Sequence, residues 1–219
     1  MPPADTQRAM TRAYPGTPLW VKLTISALIV TALAWWVADR QDRRGNERRL
    51  SAIASQIAGR DVRVQCPGPV GRLLGWDIVE GSVRFGADGK PAEETKIRKR
   101  SCAELDALAE GRRQKELECI ARTAIACGRH GRETVMAVDV LAHESWHLHG
   151  VIDEAETECR SLQTMAWTAQ QLGATPEEGR AMARAQYDGA YRELPQAYRS
   201  SVCVDGGALD LRPDDKRFP

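Results

Sequence analysis

Residues 19–37, LWVKLTISALIVTALAWWV, form an apolar run whose single charge, Lys22, lies near its start. A helix of that length spans the hydrocarbon layer of a bilayer, and Lys22 can extend toward the headgroups. Trp20, Trp35 and Trp36 stand where interfacial aromatic residues gather. The pattern predicts a transmembrane helix over 19–38, after a disordered tail over 1–18 that has no apolar period. Ala32-Leu33-Ala34 also resembles a cleavage site, so the run doubles as a signal segment or uncleaved signal anchor. In both cases the domain that follows is exported.

Beyond the apolar run the period changes several times. Leu50, Ile53, Ala54 and Ile57 recur at helical spacing, so 39–60 reads as a linker and a short amphipathic helix, with Asn46 as N-cap and Gly59 as stop. Val62 and Val64 alternate before Cys66-Pro67-Gly68-Pro69, which ends a strand. Residues 76–85 alternate as well, 87–90 (ADGK) supply turn chemistry, and 95–98 complete an expected small antiparallel sheet. Ser101 with Glu104 forms a capping-box pattern for a helix over 101–110. Residues 117–127 prolong a helix that 128–131, with two glycines, break. Thr134 then caps a helix with a Val135, Val138, Leu141 and Ala142 stripe, ended by Gly150. Asp153 and Glu156 form an N-capping pair for a helix reaching Gly173, and Thr175-Pro176-Glu177-Glu178 opens another over 176–193. The expected class is α+β, predominantly helical, with one domain over 61–219.

Composition narrows the partners. Lys and Arg total 31 against 30 Asp and Glu, a balance that gives no field for recruiting nucleic acid. Six cysteines follow the apolar run without a CxxC pair, which points to three disulfides in an oxidising compartment. Spacing suggests Cys119 with Cys127 across a short loop, and Cys159 with Cys203 tying the tail. Arg40, Arg43, Arg44, Arg48 and Arg49 on the carboxyl side of the apolar run outnumber Arg8, Arg12 and Lys22 on its amino side, which favours a cytoplasmic domain. The cysteines favour the opposite side, and we expect a single-pass cell-membrane protein with its carboxyl-terminal domain extracytoplasmic.

The candidate chemistry lies in His143-Glu144-Ser145-Trp146-His147. Histidines four residues apart on a helix share a face, roughly 6 Å between Cβ atoms, and suit one metal ion. Glu144, beside that face, is free to accept a proton from water. A catalytic zinc needs a third protein ligand, and Asp153, Glu154, Glu158 and His149 are the nearby candidates. His130, between glycines, reads as a surface histidine. Tyr187, Tyr191 and Tyr198 recur near helical spacing as packing residues, and a tyrosine can also stabilise an oxyanion.

HESWHLHGVID resembles the metzincin pattern HExxHxxGxxD, which implies Asp153 as third ligand; Met165 and Met182 lie in helical patterns, so no Met-turn accompanies it. The HExxH helix followed by an acidic helix resembles the gluzincins, the thermolysin-like zincin metallopeptidases, over about residues 143–172. The connection between the two helices is shorter here. That resemblance implies a zincin-like helix pair with Zn2+ on His143, His147 and Glu154, Glu144 as general base, and Glu158 behind a ligand histidine, with Glu158 or Asp153 as alternative ligand. It further implies peptide-bond hydrolysis in a protein or peptide substrate, lying along the sheet edge. The alternative is a non-catalytic, membrane-tethered, disulfide-stabilised domain with a structural or vestigial metal site.

Overall fold

A computed structural model describes residues 18–68, 80–215 and 218–219. The expected tail over 1–17, and Trp76 with the start of its strand, lie outside the described residues. The chain divides into two compact units, Met1–Gln41 and Asp42–Pro219.

In the first unit, helix α1 (Leu19–Ala58) begins with the apolar run. Trp20, Leu28, Leu33 and Trp35 are all exposed, and this is a helix long and apolar enough to cross a membrane. The Thr24 and Thr31 hydroxyls donate back to the carbonyls of Val21 and Ala27, so neither needs water. α1 continues without a break through 39–45, where a linker was expected. Asn46 is therefore inside the helix and not its cap; it is buried and donates to the Cys102 carbonyl at 3.2 Å. Gly59, at φ +68, ends α1 as its position predicts.

In the second unit, the last three turns of α1 bury Leu50, Ile53, Ala54 and Ala58. They also cover one edge of the sheet. Strand β1 (Arg63–Gln65) pairs in parallel with β3 (Pro91–Ile97), and β2 (Gly81–Phe85) pairs antiparallel with β3, giving the order β1-β3-β2. The sheet is mixed, not antiparallel as expected. The β2–β3 hairpin, turned at Gly89 (φ +74) with Asp88 accepting from Lys90 N–H, places β3 in the middle. β1 then joins its free side in the same direction.

The outer edge of β1 is satisfied by side chains of α1. Val62 N–H donates to Ser55, Val64 N–H to Ser51, and Cys66 N–H to Glu47. Two strand residues rise about 6.7 Å and four helix residues about 6.0 Å, so alternate amides match an i, i+4 row. Unpaired edge amides would otherwise invite another strand.

Helix α2 (Lys99–Ala109) starts two residues before Ser101, so the expected capping box does not form. Ser101 lies near Glu80 Oε2 instead, and Glu104 is buried, taking two bonds from Arg113 at 2.6 and 3.0 Å. Helix α3 (Gln114–Thr123) ends at left-handed Ala124 (φ +50). Helix α4 (Gly128–His149) opens at the glycines expected to form a loop, so Thr134 is inside it. Gly131 is buried in the first turn, where an added Cβ would make ordinary contact with the Ala126 backbone at 3.5 Å. Helix α5 (Glu154–Gln171) follows, capped by Asp153. Helix α6 (Pro176–Asp188) has the expected capping box, but Gly189 separates it from a short α7 (Ala190–Glu193). A 3-10 turn, Gln196–Tyr198, leads into the tail.

α4 lies at the centre, packed on α2, α5 and the sheet, with Leu141, Leu148, Leu162, Met165 and Met182 fully buried around it. Three disulfides close the fold: Cys66–Cys102, Cys119–Cys127 and Cys159–Cys203. The last two are the pairs suggested by spacing. Gln163, which donates to Leu209 O and accepts from Leu211 N–H, also pins the tail to α5.

Replacing Ser51 by Ala leaves the Val64 amide without its partner at a covered edge and should destabilise the protein by about 1–2 kcal/mol. Urea unfolding of the variant against the parent measures this; a change of a few tenths or less would show that the amide is satisfied otherwise.

Candidate metal centre

α4 and α5 are joined by a turn that reverses the chain. Gly150 adopts φ +117, its amide bonds to His147 O, and the Val151 amide bonds to Trp146 O. Asp153 Oδ1 then accepts from Glu156 N–H at 2.8 Å, and Thr157 donates to Asp153 O. Asp153 is thus an exposed helix cap, as its pairing with Glu156 predicts. Glu154 and Glu158, one turn apart on α5, lie against α4.

His143 and His147 have ring centroids 4.7 Å apart. Each ring has its Nδ1 engaged by the protein: His143 Nδ1 is 2.9 Å from Glu158 Oε2, and His147 Nδ1 is 2.7 Å from the Val151 carbonyl oxygen. A carbonyl only accepts, so His147 carries its proton on Nδ1 and presents a lone pair at Nε2. Burial holds His147 below the ordinary histidine value, which keeps the ring neutral near neutral pH. Its Nε2 nevertheless faces Glu154 Oε2 at 3.3 Å, and His143 Nε2 lies 3.1 Å from the same oxygen.

An acceptor facing an acceptor in a partly dry cleft is unfavourable unless a cation stands between them. The candidate ligand atoms of His143, His147 and Glu154 all lie within 4.8 Å of one another. Tetrahedral zinc with bonds of about 2.1 Å holds its ligand atoms about 3.4 Å apart, close to the two separations here. Two imidazoles and a carboxylate are a donor set that could hold a divalent metal ion, zinc among them. These three residues would hold it, with Glu158 and the Val151 carbonyl orienting the rings.

Burial opposes a charge on His143, but Glu154 and Glu158 on its two nitrogens, with Asp139 behind, outweigh this and raise it to about 10. Protons therefore compete with a metal for that nitrogen. The bond from His143 in turn lowers Glu154 below the usual carboxylate range. Glu144 is buried beside the cluster, and burial raises it to about 7. Its Oε2 lies 3.2 Å from the Thr95 hydroxyl of β3. β2 passes so close that a Cβ on Gly81 would collide with the Glu144 carboxylate.

Behind His143 is a buried polar group that the motif does not announce. Asp139, one turn before His143, accepts from Ser161 at 2.6 Å and from Gln186 at 2.8 Å. Burial and then the Glu158 charge raise Asp139 to about 8. Glu158 Oε1 is buried with no hydrogen-bond partner among the described residues. A cavity of about 380 Å³ opens beside His143 and Glu144, with Tyr198 and Leu194 on its wall. The Tyr198 ring centroid is 6.3 Å from that of His143, whereas the Tyr187 and Tyr191 hydroxyls bond to Cys203 O and Ser200 O. The Glu154 charge, with some burial, raises Tyr198 above the ordinary phenol value.

His149 is exposed and packs on Trp146, away from the cluster. His130 is half exposed, as a surface histidine should be, though it lies with Glu104 and Glu133 in a second close group. Arg113 on Glu104 and Arg129 on Glu133 already supply positive charge there.

Comparison of the chain with protein-family models, with curated proteins and with solved structures finds no match.

Zinc affinity should rise about tenfold per pH unit between about pH 7 and 9, because binding must expel the His143 proton, held until about pH 10. Glu154→Ala should lose tight binding, and Asp153→Ala should keep it while losing roughly 1 kcal/mol of stability from the helix cap. Competition against a chromophoric chelator measures both; affinity independent of pH, or equal zinc in Glu154→Ala and the parent, contradicts the ligand set.

Proposed function

We propose that this chain is a membrane-anchored, zinc-dependent peptidase whose site is similar to that of the gluzincins. The observation that supports it most is the meeting of the His147 Nε2 lone pair and Glu154 Oε2 at 3.3 Å, with His143 Nε2 at 3.1 Å from that oxygen and Glu144 buried alongside. Bound zinc would supply polarisation of the scissile carbonyl and acidification of the attacking water.

The residues of the chain account for the remaining steps. Glu144, raised to about 7 by burial, is poised to take a proton from water and pass it to the leaving amine nitrogen. Thr95 and Gly81 hold that carboxylate: the hydroxyl lies beside one oxygen, and the missing Cβ leaves room for the other. Glu158 and the Val151 carbonyl keep the Nδ1 protons in place, so His147 Nε2 stays available and His143 Nε2 becomes so once its proton is displaced. Tyr198, on the cavity wall, is the tyrosine placed to donate to a developing oxyanion. β2, an edge strand beside Glu144, offers a side along which an extended peptide can lie. The apolar first half of α1 would anchor the domain in the cell membrane, and three disulfides favour its extracytoplasmic side.

Glu144→Gln should retain zinc and fold while hydrolysis of a denatured protein substrate falls by at least about a hundredfold. Unchanged hydrolysis, or none in the zinc-loaded parent, would return the chain to a tethered, non-catalytic domain. Gly81→Ala should lower kcat by at least about tenfold with little change in zinc content, because the new methyl displaces the Glu144 carboxylate. Steady-state kinetics and metal analysis of one preparation separate the two effects, and a parental kcat would mean that β2 yields instead.

A further inference from the structure

The cavity beside His143 and Glu144 has walls and a floor of opposite character. Met136, Val140, Ala190 and Leu194 line it with apolar surface. Asp139 and Glu158 line it as well, and both are more than nine-tenths buried. Asp139 accepts two hydrogen bonds, from Ser161 and Gln186, which leaves lone pairs unused. Glu158 Oε1 has no hydrogen-bond partner among the described residues. Glu80 and Glu144 complete the lining carboxylates, and Glu80 is engaged by Arg98 and lies near Ser101. No lysine or arginine lines this cavity among the described residues; His143 is its one basic group.

We infer that this cavity is a specificity pocket for a basic side chain, lysine or arginine, within one residue of the bond cleaved, and that Asp139 is its specificity-determining residue. The inference rests on the peptidase reading for the position of the bond, and on the cavity alone for the cation. Two features of the pocket match such a side chain. The aliphatic stem of lysine or arginine covers apolar walls while its head seeks anions, as the Met136 and Leu194 walls above the Asp139 floor require. An entering ammonium or guanidinium would give the buried Glu158 oxygen a donor and would favour the charged form of Asp139 beside it. A leucine side chain would fill the walls and leave the floor as it is. A glutamate would add a fifth carboxylate.

The test uses the full chain in detergent micelles, titrated with the Nα-acetyl N-methylamides of lysine, leucine and glutamate. Lysine amide should bind at least about tenfold more tightly than leucine amide, with glutamate amide weakest. Asp139→Asn, which keeps the shape of the floor, should erase that order. Ala190→Lys places an internal ammonium in the exposed wall and should abolish lysine amide binding even where the Asp139 variant fails to fold. Equal or tighter binding of leucine amide by the parent overturns the proposal, as does a lysine preference that survives either substitution. Peptides carrying lysine, leucine or glutamate beside the scissile bond are assayed separately. Selective lysine amide binding without cleavage of any peptide would refute the peptidase reading and leave the basic pocket standing.

Discussion

The reversal of the chain between α4 and α5 is the constraint on which the site depends. Gly150 takes a conformation, φ +117, that a residue with a Cβ adopts only under strain, and the turn is closed by the Gly150 and Val151 amides on the last carbonyls of α4. Asp153 then starts α5 at once by capping it. Because so little chain separates the helices, the first two turns of α5 lie against the last two of α4, and Glu154 and Glu158 reach His143 from both sides of its ring. The turn also contributes chemistry directly, since the Val151 carbonyl sets the proton on His147. A longer connection would need some other group to do that.

Much of this was legible where the signal is local. Gly59, Gly150, Asp153 and the Thr175-Pro176-Glu178 box act on backbone within a few residues, and each stops or starts a helix where its chemistry predicts. The i, i+4 spacing of the histidines carries over in the same way, because it needs only that the segment be helical. Glu104 shows where local reading ends. Its spacing from Ser101 suits a capping box, yet Arg113 and Thr134, brought by α3 and α4, offer a buried carboxylate stronger partners than a helix amide does. Asn46 similarly trades a cap for the Cys102 carbonyl, fifty-six residues away. The parallel pairing of β1 with β3 has no local signature at all, since it follows from α1 covering the other side of β1.

The parts of the site that the motif leaves unstated are also long-range. Thr95 and Gly81 reach Glu144 from the sheet, and Tyr198 arrives from a 3-10 turn after α7. Two sequence signals did bear on them. Gly81 interrupts an alternating strand, which marks a close approach of another group, and Asp139 is a lone acid among the apolar residues of α4 before the motif. A charged residue at such a position is costly unless it is partnered, so it points to a polar network or a ligand.

That cost bears on how the second unit balances stability against chemistry. Asp139, Glu144 and Glu158 are all buried around His143, one of their oxygens has no partner, and burial raises both Asp139 and Glu144. A core arranged for stability alone would place apolar side chains there, because a buried carboxylate without full pairing opposes folding. The opposing contributions lie at a distance from the cleft. One disulfide ties the end of β1 to α2, another links α3 to α4, and the third holds the tail to α5. Cross-links of this kind act mainly by restricting the unfolded chain, and so they stabilise the domain without neutralising any charge in the cleft. Burial consequently holds these carboxyl groups toward their neutral forms, and a cation entering the cleft would favour their charged forms. One place where a cation could be held is the group His143, His147 and Glu154, and the other, on the proposal above, is the pocket lined by Asp139 and Glu158.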